Sequence, residues 1–245
     1  MERLDKILSH TGFGTRKDVK AILKDGAVCI NGVVVKDASA KIDTEKDELT
    51  VDGEKIDIKE HVYLMMNKAQ DYVCSTKDGE HETVFACVPD CYKHAYLGGE
   101  LHLVGRLDID TEGLLLITTD GNLTHRLTSP KTHCSKKYLV HLRDGVDSTR
   151  QAEYTALFLR GVHIAAEGDD GEWDCKSAAL EWIDADKCYL TIYEGRFHQV
   201  KRMFKAVGNE VVFLKRVAIG SLVLDGALKT GECRELSAEE LSLLS

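Results

Sequence analysis

The sequence predicts an α+β chain in two parts, a small module over residues 1–58 and a larger domain over residues 62–245 built on a mixed or antiparallel sheet. Three observations lead there. The 245 residues can bury a substantial core in more than one folding unit. Strand candidates outnumber helix candidates and do not alternate with them regularly, as they would around a parallel sheet. A short stretch, IDIKEH, separates a helix-and-hairpin pattern from a longer run of strands.

In the first part, RLDKILSH reads as a short amphipathic helix with Leu4, Ile7 and Leu8 on one side. A second helix follows in TRKDVKAILKDG. Thr15 and Asp18 fit a capping box, Gly26 fits a C-terminal stop, and Val19, Ile22 and Leu23 form the buried stripe. Arg16, Lys20 and Lys24 recur every four residues on another face. By itself such a stripe is more often a solvated face than a site, but clustered cations on two compact helices also suit phosphate binding. AVCINGVVVK then reads as a hairpin turning at Asn31-Gly32. The acidic remainder, DTEKDELTVDGEKIDIKE, is expected on the far side of the module.

The second part begins at VYLMMNK. Its strand candidates are 62–67, 101–106, 114–119, 138–142, 178–183 and 188–193, and its helix candidates are 122–128, 149–160, 196–207 and 237–244. The last helix opens with a Ser237/Glu240 capping box. In EGRFHQVKRMFKAVGN, Val200, Met203, Phe204 and Val207 repeat at helical spacing and pin that helix to a core. His198, Lys201, Arg202 and Lys205 share another face, which alone reads as solvated.

Composition narrows the function classes. With 43% hydrophobic and 30% charged residues, the chain has the balance of an ordinary globular protein. No apolar run approaches the ~20 residues of a membrane span, and the start, MERLDKILSH, lacks a signal-peptide core, so the expected setting is the cytoplasm, with no membrane partner. The eight cysteines are mostly scattered singly, as reduced residues rather than a disulfide framework. CVPDCYKH groups Cys87, Cys91 and His94 without the paired C-x2-C spacing of a structural zinc site. A net charge of −9 argues against a general nucleic-acid coat protein while leaving room for a local basic face.

One stretch concentrates potential chemistry. GRLDIDTEGLLLITTDG places Asp108, Asp110 and Glu112 in front of an apolar run. The first half imitates a calcium-binding loop, but position 12 is Thr119 and positions 7 to 10 are Leu114 to Ile117, so the calcium reading fails. Ordinary turn chemistry accounts for Asp110 and Glu112. Asp108, expected at a strand end after Arg106 and Leu107, is the candidate nucleophile, provided that a cation and an apolar wall accompany it.

The RLDK helix pair and hairpin resemble the S4 RNA-binding domain. That resemblance implies RNA contacts at Arg3, Lys6, Arg16, Lys17 and Lys20. Behind it, GRLDIDTEGLLLITTDG, KKYLV and EGRFHQVKRMFKAVGN occur in the order found in the RsuA family of pseudouridine synthases, and the resemblance spans nearly the whole chain. YVCST and SPKTHCSKKYLV look closest to the members that act on small-subunit (16S) rRNA.

The family resemblance implies an isomerase that detaches uracil from its ribose, rotates it and rejoins it through C5, with no cofactor and no metal. It implies Asp108 as the catalytic aspartate, acting at the anomeric carbon or by a glycal route, with Lys201 as its paired cation. Many relatives carry Arg at that position; Lys gives up the bidentate fork for a point charge. Tyr138 is implied to stack on uracil, Arg106 to fill the gap left by the extruded base, Val200 to line the uracil pocket, and Arg202 to help hold RNA. Thr111 and Gly113 are expected to shape the turn. The implied partner is rRNA within a ribosomal-subunit assembly intermediate, met by a monomer. The competing readings are a large-subunit (23S) rRNA synthase and a non-catalytic assembly factor.

Overall fold

In the computed structural model, residues 1–11, 13–44, 46–56, 58, 61–77, 79–93, 99–167 and 171–244 are described, His10, Cys91 and Lys93 by backbone alone. Parts of the expected linker (57, 59 and 60) and of the Cys87/Cys91/His94 grouping lie outside them. Packing divides the chain into two units. One comprises Met1–Tyr63 with Val88–His102 and Thr118–Asp120; the other comprises Leu64–Cys87, Leu103–Ile117 and Gly121–Ser245.

In the first unit, helices Leu4–His10 and Arg16–Asp25 form where the periodicity places them. Thr15 and Asp18 make both bonds of the capping box, and Gly26 ends the helix at φ +79°. Asn31 and Gly32 both adopt positive φ, the backbone of a tight two-residue hairpin turn between Val28–Ile30 and Val33–Val34. Leu49–Val51 pairs with Val28–Ile30 and with Glu54–Lys55, giving a four-stranded sheet. The acidic segment therefore supplies sheet strands. Leu4, Ile7, Leu8, Val19, Leu23, Val28, Ile42, Leu49 and Val51 form one buried cluster. Each such side chain contributes roughly 1.5–3 kcal/mol by leaving water.

The second part of the chain is organised on one large sheet. Its strands run in the order Ala179–Trp182, Lys187–Ile192, Lys136–Leu142, Val211–Ile219, Glu112–Thr118, Tyr63–Lys68 and Cys233–Glu235. Val211–Ile219 runs antiparallel to Lys136–Leu142 and parallel to Glu112–Thr118, so the sheet is mixed. The predicted strands appear within a few residues of their expected bounds, but Val211–Ile219 and Cys233–Glu235 were not among them. In the former, Leu214, Arg216 and Ala218 point to the buried side at alternate positions, while the Lys215-Arg216 pair interrupts the apolar pattern in the sequence.

Helices Gly121–Thr128, Ser148–Arg160 and Gln199–Ala206 flank the sheet strands in sequence. Asp147 caps Ser148–Arg160 by accepting from the N–H groups of Thr149 and Arg150. Phe158 of that helix meets Phe204 with ring centroids 5.0 Å apart, which ties the two helices together. The helix expected from Arg196 begins at Gln199, because His198 takes a left-handed conformation at φ 48°. Ser237 and Glu240 form their capping box at the head of Ala238–Ser242. Among the described side chains every cysteine is a free thiol, and no helix is long and apolar enough to cross a membrane.

Candidate active site

A cavity of about 360 Å³ opens where the loop 105–111, strands Lys136–Leu142 and Val211–Ile219, and the start of helix Gln199–Ala206 converge. Asp108, Tyr138, Val200 and Arg216 line it, with Arg106 exposed at its edge. All of these lie in one packing unit.

Asp108 is not at a strand end. The preceding strand stops at Val104, and the carboxylate sits in the loop that leads to Glu112–Thr118. A buried charge gives that loop its shape. Lys68, wholly excluded from solvent, ends the strand Tyr63–Lys68 and turns its ammonium into the loop. Its Nζ donates to the carbonyls of Ala69, Asp108, Ile109 and Thr111 at 2.9–3.1 Å. Burial pulls the Lys68 pKa below its ordinary value, against the opposing influence of Cys74, Asp110, Asp108 and Asp71. The Thr111 N–H closes a turn onto the Asp108 carbonyl at 3.1 Å, and the Leu107 N–H donates to Cys74 Sγ.

The Asp108 side chain meets two basic groups from the opposite element. Its Oδ2 is 3.4 Å from Lys201 Nζ and its Oδ1 is 3.8 Å from His198 Nε2. Lys201 makes its shorter contact with Asp110, at 2.5 Å. Burial would raise the Asp110 pKa, but the hydrogen bond and charge of Lys201 outweigh it and hold this carboxyl below its usual value. Asp110 is therefore more than a solvated turn residue, since it shares the ammonium of Lys201 with Asp108. Glu112 pairs instead with Lys215 at 3.6 Å.

Tyr138 is buried on the sheet face that lines the cavity, directly across from Arg216. Arg216 is 2% exposed; its Nε–H donates to the Leu114 carbonyl at 2.8 Å. Gly113 makes this approach possible. At φ +104° it lies against the Arg216 backbone, and a Cβ there would overlap the Arg216 carbonyl oxygen. Phe197 is exposed and stacks on His198, a lining residue, with centroids 3.7 Å apart.

Arg202 departs from the expected basic face. Its side chain is 5% exposed, packs on Trp173 at 4.2 Å and donates to the Ala165 carbonyl at 2.7 Å, with Glu167 at 3.6 Å. Trp173 and the 165–167 segment cover this side of the helix, so Arg202 is packed here and is not part of an exposed basic face. Lys205 remains exposed beside Glu167. In the N-terminal unit, Arg16, Lys17 and Lys20 are exposed, whereas Arg3 forks onto Asp5 and Lys6 pairs with Glu2.

Lys68 and Arg216 went unremarked in the sequence. Lys68 closes an apolar strand and Arg216, next to Lys215, interrupts one, patterns that also fit residues facing water. Their burial follows only from pairing with distant segments. Chemically, the cavity offers a carboxylate flanked by basic groups, an aromatic wall and a buried guanidinium, a setting for a planar polar ring and for displacement at an adjacent carbon.

Comparison with known proteins points to one family. Residues 62–206 match the family model described as RNA pseudouridylate synthase, and residues 2–49 match that of the S4 domain. The chain is 46% identical to an uncharacterized RNA pseudouridine synthase of Bacillus subtilis, YtzG, over 99% of this chain and 98% of that protein. It is 44% identical to ribosomal small subunit pseudouridine synthase A of Pasteurella multocida and 42% identical to the protein of that name in Escherichia coli, each over 98% of both chains. A solved structure of a pseudouridylate synthase covers 100% of both chains at 41% identity, with a TM-score of 0.66.

Proposed function

The chain belongs to the RNA pseudouridylate synthase family, and on that premise we propose that it converts a uridine of small-subunit ribosomal RNA to pseudouridine. It acts as a monomer in the cytoplasm on an assembly intermediate of the subunit. The observation that carries this reading is the placement of the Asp108 carboxylate, 3.4 Å from Lys201, on a cavity walled by Tyr138 and Val200.

In this reading the target nucleotide leaves its helix and enters the cavity, and Arg106 at the edge occupies the space it vacates. Asp108 acts on the sugar, either by bonding to C1′ or by taking the C2′ proton. The C1′–N1 bond breaks and its electron pair leaves with uracil. After the ring turns, C5 bonds to C1′ as the Asp108–C1′ bond breaks or as Asp108 returns its proton to C2′, which restores the carboxylate; the C5 proton then passes to solvent while N1 takes one up. Lys201 balances the carboxylate charge, and Tyr138 supports the ring as it rotates. The S4 domain holds RNA backbone through Arg16, Lys17 and Lys20; Arg3 and Lys6 would exchange their present carboxylate partners for phosphate.

Tritium release tests the assignment. Small- and large-subunit rRNA, free and as assembly intermediates, are labelled at uridine C5 and incubated with wild type and Asp108→Asn. Release by wild type from small-subunit rRNA alone, and none by Asp108→Asn, is the expected result. Release from large-subunit rRNA alone would reassign the substrate, and tight binding without release from either would remove the enzyme reading.

A further inference from the structure

Arg216 has no role in the chemistry described above, yet its place in the cavity is unusual. Its side chain is 2% exposed and lines the cavity on the face shared with Tyr138, its cross-strand partner. Nε–H is bonded to the Leu114 carbonyl, but Nη2 is buried with no hydrogen-bond partner among the described residues. The two carboxylates of the cavity lining are engaged elsewhere, Asp108 with Lys201 and His198, and Glu194 with the Lys176 N–H and the Gln199 amide. A second cation, Lys136, lies on the same sheet face and donates to the Cys134 carbonyl. Burial, with Arg216 adding its positive charge, pulls the Lys136 pKa down despite the opposing influence of Cys134. The wall of the cavity therefore holds a buried donor that no described acceptor satisfies.

We propose that Arg216 recognises the flipped uracil, with Nη2–H donating to a ring carbonyl oxygen and carrying the charge that the ring acquires when it leaves the sugar. The inference rests on the uridine-isomerising reading above. An unmade hydrogen bond on a buried guanidinium is costly, and a ligand that completes it gains that cost back. Uracil offers carbonyl oxygens on both sides of N3, whereas cytosine carries an amino group in place of one of them. When C1′–N1 breaks, its electron pair passes to N1 and is delocalised onto O2 and O4, whichever route the sugar follows. The pair returns to carbon as C5 bonds to C1′, and Arg216 keeps its protons throughout. A fixed donor in a water-poor site is suited to such transient charge, since it needs no reorganisation as the charge appears.

The test uses the full chain under single-turnover conditions. Small-subunit rRNA, transcribed with UTP or with 5-fluoro-UTP and assembled with small-subunit proteins, is the substrate. The readout is the C-linked nucleoside after nuclease digestion. Fluorine stabilises the ring anion, so a lost donor matters less on the fluorinated RNA. Arg216→Gln is expected to lose about 10²-fold on uridine and less than about 10-fold on 5-fluorouridine, with RNA affinity unchanged. Equal losses on both RNAs, or a wild-type rate on uridine, would overturn the proposal. If Arg216→Gln does not fold, Arg216→Lys, which keeps the charge but moves the donor, carries the same comparison with the same criteria. A wild type inactive on every rRNA would instead refute the underlying reading.

Discussion

The ammonium of Lys201 lies 2.5 Å from the Oδ1 of Asp110. Its distance to Asp108 is longer, 3.4 Å, so one cation serves two carboxylates of the same loop. Asp110 is 61% exposed at its side chain, and exposed pairs contribute about 0–1 kcal/mol. Asp110→Asn should therefore change stability by no more than about 1 kcal/mol and activity by only a few fold, because Lys201 then turns wholly to Asp108. Asp108→Asn should lose roughly 10³-fold or more, the scale expected when the reacting carboxylate is removed. Single-turnover rates with urea melts separate the two. A collapse of activity in Asp110→Asn at full stability would mean that Asp110 takes part in the chemistry.

Lys68→Met should destabilise the fold by about 2–4 kcal/mol, because the loop carbonyls lose their shared donor. The pH dependence has a defined sign. Burial lowers the folded-state Lys68 pKa below the unfolded value of 10.5, so the unfolded chain binds more protons between the two. Stability from this group then rises as pH climbs through that window toward 10.5, and is lost as pH falls to the folded value. Urea unfolding from neutral pH to about pH 10 should show a smaller rise, or a steeper fall, in Lys68→Met than in wild type. The opposite ordering would rule out a buried ammonium as the source.

Gly113→Ala should be severe although it adds one methyl group. At φ +104° the backbone is strained for any side chain, and the Cβ would overlap the Arg216 carbonyl oxygen. The parallel pairing of Gly113 with Arg216 would have to open. Thermal unfolding should report a loss of about 2–4 kcal/mol together with loss of activity. A wild-type melting temperature would show that the loop relaxes easily.

Arg16→Glu combined with Lys20→Glu should weaken rRNA binding and reduce the salt slope of log Kd by about 2, one for each phosphate no longer neutralised. A short uridine-containing RNA, held by the cavity alone, should be affected less. Affinity titrations at several salt concentrations on both RNAs provide the check; equal losses would argue against a separate docking role for the S4 domain.

Much of this was legible in the sequence because its signals are local. The Thr15/Asp18 capping box, the Asn31-Gly32 turn and the 200–204 apolar stripe each act within a few residues, and each formed as read. Val211–Ile219 was hidden because Lys215 and Arg216 resemble solvent-facing residues until both sheet neighbours are known. Arg202 failed as a surface cation for a similar reason. Helical spacing assigns a face, but only the packing of Trp173 shows that this face is covered.

By itself the sequence determined the family, the order of the two domains and which aspartate to suspect, since these are carried by contiguous motifs. Tertiary structure alone decided what surrounds that aspartate. The Lys68–Asp108, Lys201–Asp110 and Arg216–Leu114 contacts join residues 40, 91 and 102 positions apart. Sheet register and helix packing set such pairings. A charge buried by them is expensive unless its partners are in place, and those partners appear only when the distant segments have folded together.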